Sequence, residues 1–120
     1  MNPMPTLSTH VLDTALGAPA EGVAVRLSRA VDDEPLAERR TAADGRIAGL
    51  PLPVNAESGK SDEYEDFRLV FATEEYFRRQ GVAEFFYAEV AISFRAEAAA
   101  EHYHVPLLLS PFGYSTYRGS

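Results

Sequence analysis

Three kinds of side chain here could move protons or hold a planar polar ligand: histidine, arginine and tyrosine. Two of the three histidines, His102 and His104, stand two apart in the stretch His102-Tyr-His-Val-Pro-Leu-Leu-Leu109. If that stretch is a strand, both imidazoles leave the same face, about 6–7 Å apart along it. Ring nitrogens on an otherwise apolar strand are unfavourable to bury without partners, so their presence there suggests a use. Imidazole suits general acid and base work, because its ordinary pKa of about 6.5 lets it take up and return a proton near neutrality. The His-x-His spacing is also half of a zinc site, with His10 able to supply a third nitrogen and water the fourth position. Metal-assisted hydrolysis and metal-free proton transfer are both open at this point.

Arg46 follows Asp44-Gly45, a hairpin signal in which glycine accepts positive φ, and should sit at the mouth of the next strand. Its guanidinium offers a fork of donors suited to a planar, electron-rich ligand, which lysine does not reproduce. Tyr117 could hold a polar group of a ligand through its hydroxyl, although a tyrosine in an apolar hairpin also serves as packing. Ser115, Ser120 and the terminal carboxylate are weaker candidates. The sequence contains neither a Gly-x-Ser-x-Gly elbow nor a phosphate loop.

The elements that must position these groups are short. Leu7 to Thr14 alternates, with Leu7, Thr9 and Val11 on one face and Ser8, His10 and Leu12 on the other, which puts His10 on a strand. Gly17-Ala-Pro-Ala-Glu-Gly22 is turn chemistry, and Val23 to Arg29 resumes alternation with Val23, Val25 and Leu27 inward. Pro35 to Thr41 predicts a strand, Pro51 to Asp62 a loop, and Tyr64 to Phe71 another strand. Thr73 to Gly81 predicts the one helix, with Thr73 as N-cap, acids in its first turn, arginines in its last and Gly81 closing it. Phe85 to Arg95 predicts a strand with Val90, Ile92 and Phe94 on one face. His102 to Leu109 and Gly113 to Arg118 predict a hairpin across Ser110-Pro-Phe-Gly113. Seven or eight short strands and one short helix indicate an all-β fold, an antiparallel two-sheet β-sandwich.

The 120 residues suit one domain, residues 1–120. Eighteen acidic against eleven basic side chains, with no basic run, argue against nucleic acid and anionic membrane as partners. There is no cysteine, hence no disulfide or thiol chemistry. The start, Met1-Asn-Pro-Met-Pro-Thr-Leu7, has neither a basic n-region nor an apolar h-region, and no apolar run reaches the roughly 20 residues needed to cross a bilayer. A soluble cytoplasmic protein is expected.

Four segments resemble the transthyretin-like 5-hydroxyisourate hydrolases of urate degradation: Leu7 to Thr14 with Gly17 to Gly22, Asp44-Gly-Arg46, Phe85-Phe-Tyr-Ala-Glu-Val90, and His102 through the terminal Tyr117-Arg-Gly-Ser120. The resemblance spans nearly the whole chain. Ala88 departs from it, standing where the family usually has proline, at a strand entry rather than in the site. The resemblance implies a transthyretin-like sandwich that opens 5-hydroxyisourate to 2-oxo-4-hydroxy-4-carboxy-5-ureidoimidazoline without metal or cofactor. It implies a substrate site of His10, Arg46, His104 and Tyr117, with His102 and Ser120 as neighbours. It implies a homotetramer whose sites lie in a channel where subunits pack through the last two strands. The terminal Tyr-Arg-Gly-Ser further implies the hydrolase group and not the hormone-carrying transthyretins.

Ring opening of a lactam needs a water nucleophile, a base for it, and donors for the developing oxyanion. His104 and His10 are expected to handle the protons, with Arg46 and Tyr117 orienting the ring and stabilising charge. A guanidinium beside the histidines would repel a divalent cation and disfavours the zinc alternative. A carrier that binds a small aromatic without chemistry, and a last hairpin that serves only as an oligomer seam, are the other readings.

Overall fold

The computed structural model describes residues 4–55 and 63–120. Nine strands and one helix follow in the order β1 (Thr6–Asp13), β2 (Ala18–Pro19), β3 (Ala24–Arg29), β4 (Pro35–Arg40), β5 (Arg46–Pro51), β6 (Tyr64–Phe71), α1 (Thr73–Arg79), β7 (Val90–Glu97), β8 (His102–Ser110) and β9 (Gly113–Thr116). One sheet runs β2-β1-β8-β9, with β5 also paired to β1; the other runs β4-β3-β6-β7. The expected two-sheet sandwich with one short helix is therefore present. Its strands pair antiparallel with one exception: β1 and β8 run parallel, from Thr6 opposite His102 to Asp13 opposite Leu109.

Alternation builds the core. Leu7, Thr9, Val11 and Asp13 of β1 are buried, as are Val25 and Leu27 of β3, while β8 contributes Tyr103, Val105, Leu107 and Leu109. Between the sheets these meet Phe67, Leu69 and Phe71 of β6, the large apolar side chains whose removal from water drives the sheets together. The complementary face of β1 and β8 is left pointing away from the core, and it carries Ser8, His10, His102 and His104.

Several local expectations are corrected. The segment Gly17 to Gly22 is not only turn, because Ala18 and Pro19 pair with Asp13 and Leu12. The Asp44-Gly45 turn does not close a hairpin of paired neighbours; it passes the chain from β4 in one sheet to β5 in the other. Thr73 is not the N-cap of α1. Ala72 holds that position without a side-chain cap, and the buried Thr73 hydroxyl donates instead to the Tyr87 carbonyl at 2.7 Å. The strand expected from Phe85 begins only at Val90, since the preceding backbone is drawn elsewhere: the Phe86 N–H donates to Pro111 O and the Glu74 N–H to Ala88 O. The last strand stops at Thr116 rather than Arg118. Of the expected Pro51–Asp62 loop, residues 52–55 are irregular, Pro51 ends β5, and 56–62 lie outside the described residues.

One buried polar link ties helix to sheet. The Tyr76 hydroxyl donates to Asp13 Oδ2 at 2.7 Å, while Asp13 Oδ1 accepts from the N–H groups of Ala15 and Leu16. Burial, and next the bond to Asp13, pushes the Tyr76 hydroxyl above the ordinary tyrosine range. Among the described residues, no helix is long and apolar enough to cross a membrane.

Candidate active site

The candidate residues come together on the outward face of the first sheet. β1 and β8 lie side by side in parallel register, Ser8 opposite His104 and His10 opposite Pro106. Side chains at opposed positions share a face, so His102, His104, Ser8 and His10 form one outward row. Arg46 joins it from the other side of β1. β5 pairs with β1 as Thr6 with Pro51 and Leu7 with Leu50, but then as Thr9 with Ile47 and His10 with Arg46. The shift means that β5 holds one residue more than β1 across that interval. Gly49, at φ 73°, supplies the left-handed conformation there, as a glycine at a bulge can without strain. Were the same residues paired in a regular ladder without the bulge, Ile47 would face His10 and Arg46 would turn to the core side. The bulge thus decides that the arginine reaches the site.

The turn before Arg46 is equally constrained. Gly45, at φ 80°, donates to Ala42 O and offers its own carbonyl to the Val11 N–H at 2.8 Å. A Cβ there would lie 2.4 Å from Val11 O. Asp44 Oδ1 accepts the Arg46 N–H at 3.0 Å. Arg46 is exposed, and among the described residues its guanidinium has no carboxylate partner.

Hydrogen bonds organise the histidines. Ser8 Oγ lies 2.7 Å from His104 Nδ1 and 2.9 Å from His102 Nε2, and Thr6 Oγ1 lies 2.7 Å from His102 Nδ1. The His104 Nε2 is left for chemistry. Its imidazole is held below the ordinary histidine range, first by burial and then by the charge of Arg46. A hydrogen bond to the Ser8 backbone opposes the lowering, and His10 and His102 add to it. A neutral imidazole beside a fixed cation can accept a proton from water, while the cation stabilises an oxyanion. Among the described residues, no three His, Cys, Asp or Glu side chains are grouped as a metal ion would require.

The chain's end is placed differently. Beyond β9 the backbone returns to β8, where Gly119 bridges His104 through its N–H to the His104 carbonyl at 2.8 Å. Gly119 packs so tightly that a Cβ on it would meet His104 Cδ2 at 2.5 Å. Ser120, just past that bridge, is exposed. Tyr117 is 59% exposed and makes no hydrogen bond to His10, Arg46 or His104. It lines, with Ile92, Phe94, Tyr103, Val105 and Arg118, a cleft of about 330 Å³ between the open edges of the two sheets. One chain therefore assembles His10, Arg46, His102 and His104 but does not bring the Tyr117 hydroxyl to them. Ser8 was not singled out from sequence; its place on the His10 face was readable from alternation, but its register with His104 was not.

Taken together, the fold and the site define a class: a two-sheet β-sandwich that displays an imidazole and guanidinium cluster on the outer face of one sheet. Comparison with known proteins narrows it. The family model described as HIUase/Transthyretin family matches residues 7–119, and the chain belongs to that family. It is 44% identical over 125 residues to the 5-hydroxyisourate hydrolase of Caulobacter vibrioides, covering 98% of this chain and all of the relative. The structure of Klebsiella pneumoniae 5-hydroxyisourate hydrolase superposes with a TM-score of 0.80 at 42% identity, covering 98% of this chain and 100% of that one. Sea bream transthyretin in complex with thyroxine superposes with a TM-score of 0.77 at 31% identity, covering 94% and 93%.

Proposed function

We propose that this protein is a 5-hydroxyisourate hydrolase of urate degradation, acting by metal-free general acid and base attack of water on the cyclic amide to give 2-oxo-4-hydroxy-4-carboxy-5-ureidoimidazoline. The activity is the one named for its full-length relatives. The observation that carries the mechanism is the convergence of His10, Arg46 and His104 from three separate strands onto one face. In this reading His104 Nε2 takes the proton of the attacking water and His10 assists in proton transfer. Arg46 aligns the planar ring and stabilises the charge that develops on its carbonyl oxygen. A fixed cation supplies the electrophilic help that a Lewis acid would otherwise give.

Tyr117 and Ser120 belong to the site in this reading through assembly, with residues 1–120 forming a single hydrolase domain and four copies sharing channels lined by their β8–β9 faces. Exposed large apolar side chains on and beside that hairpin favour such packing: Leu16 at 63%, Phe112 at 66% and Tyr114 at 42%. The compartment proposed here is the cytoplasm. Likeness to a thyroxine-bound transthyretin favours one second reading, a carrier of a small aromatic. Mixing the purified protein with freshly generated 5-hydroxyisourate and following its ultraviolet decay separates the two. Decay faster than the spontaneous rate is expected, and a rate equal to it would leave the carrier.

A further inference from the structure

Thr6, His102, Ser8 and His104 form an unbroken hydrogen-bonded row across the parallel pair β1 and β8, with contacts of 2.7, 2.9 and 2.7 Å. A serine hydroxyl donates one hydrogen and accepts others, and each neutral imidazole has one donor and one acceptor nitrogen. The row therefore has two self-consistent settings. In one, His104 Nδ1 donates to Ser8, Ser8 to His102 Nε2, and His102 Nδ1 to Thr6, which leaves His104 Nε2 as a bare acceptor. In the other every bond is reversed, and His104 Nε2 carries a proton. The far end reaches water, since His102 is exposed.

We propose that Ser8 is a positioning residue, and that this row switches His104 between base and acid without leaving a charge on its ring. The inference rests on the hydrolase reading above. As the water oxygen bonds to the substrate carbonyl carbon, its proton goes to His104 Nε2. The Nδ1 proton passes to Ser8, the Ser8 hydroxyl proton to His102 Nε2, the His102 Nδ1 proton to Thr6, and the Thr6 hydroxyl proton to solvent. When the ring C–N bond breaks, Nε2 returns its proton to the leaving nitrogen and the row runs backward, taking one proton from solvent. Protons balance over the turnover. The half-buried setting of His104 next to Arg46 disfavours an imidazolium, so a route that exports the charge has a purpose.

The test compares Ser8→Ala and Ser8→Thr with the unsubstituted protein by kcat and KM across pH, together with ¹⁵N spectra of the histidine rings. Ser8→Ala should lower kcat about tenfold or more while KM stays within about twofold, and Ser8→Thr, which keeps the hydroxyl, should recover most of it. In the spectra His102 and His104 should titrate as a coupled pair in the unsubstituted protein and independently in Ser8→Ala. Unchanged kcat in Ser8→Ala, a Ser8→Thr as slow as Ser8→Ala, or uncoupled titrations in the unsubstituted protein would each overturn the proposal. If Ser8→Ala does not fold, Ser8→Thr and the spectra of the unsubstituted protein decide. Absence of any hydrolysis by the unsubstituted protein would sink the hydrolase reading instead, and the spectra would still judge the row.

Discussion

Replacing Gly119 by alanine should damage catalysis far more than stability, and the structure gives the scale of both effects. The new methyl carbon would stand 2.5 Å from His104 Cδ2, 3.2 Å from Cγ and 3.3 Å from Cβ. Ordinary contact begins near 3.4 Å, so the tail and the ring must separate by about 0.9 Å. The tail is the cheaper part to move, because it lies beyond β9 and its tie to the sheet at Gly119 is one N–H donated to the His104 carbonyl. Losing that bond costs about 0.5–1.5 kcal/mol, which for a domain of this size lowers Tm by about 2–6 °C. If the ring moves instead, an off-rotamer imidazole costs about the same, 0.5–1.5 kcal/mol. Either way His104 loses the packing that holds it, by direct displacement or by the loosened tail, and an imidazole free to stray by about 1 Å lowers turnover by about a hundredfold. Thermal unfolding and steady-state kinetics with 5-hydroxyisourate on the same preparation check both halves. Gly119→Ala with kcat within twofold of the unsubstituted protein would refute the idea that the terminal bridge fixes the catalytic imidazole.

Other predictions follow from the same contacts. Arg46→Gln removes the charge that, after burial, most depresses His104. The acid limb of kcat/KM should therefore move to higher pH, and an unmoved limb would separate Arg46 from the base. Because His104 is depressed in the folded state, the unfolded chain binds the extra proton first. Its contribution to stability is fully present above about pH 6.5 and is lost as the pH falls through the folded value. Urea unfolding at pH 7.5 and pH 5 should show that loss reduced in His104→Gln. Tyr76→Phe leaves Asp13 Oδ2 buried without its donor and should cost about 1–3 kcal/mol in urea unfolding with hydrolysis nearly intact; an unchanged midpoint would make the link incidental.

Much of the site was legible because strand alternation is a local property. The same-face placement of His102 with His104, the outward direction of His10 and the inward run Leu7, Thr9 and Val11 all follow from a period of two. What escaped depended on partners distant in the chain. Nothing in Leu7 to Thr14 says that its neighbour is a parallel strand 96 residues later, and without that register Ser8 has no visible relation to either histidine. Asp44-Gly45 announced a turn, but turn chemistry does not specify that the strands it joins lie in different sheets. Thr73 had the composition of a cap, but burial let it bond Tyr87 across the fold instead. The alternation from Phe85 does not reveal that the Phe86 N–H is taken by Pro111 O or that Tyr87 packs edge-on to Tyr114; local pattern cannot weigh such tertiary contacts. Tyr117 was the expected member that alternation could not place, since within one chain it lines the open sheet edge and does not join the cluster.

In the proposed mechanism the outward His10, Arg46 and His104 face performs the hydrolysis. Its most direct test is the turnover of His104→Asn on 5-hydroxyisourate, read beside a thermal unfolding curve of the same sample. A fall in kcat of about a hundredfold or more is expected, with the fold retained. Turnover equal to that of the unsubstituted protein would contradict it.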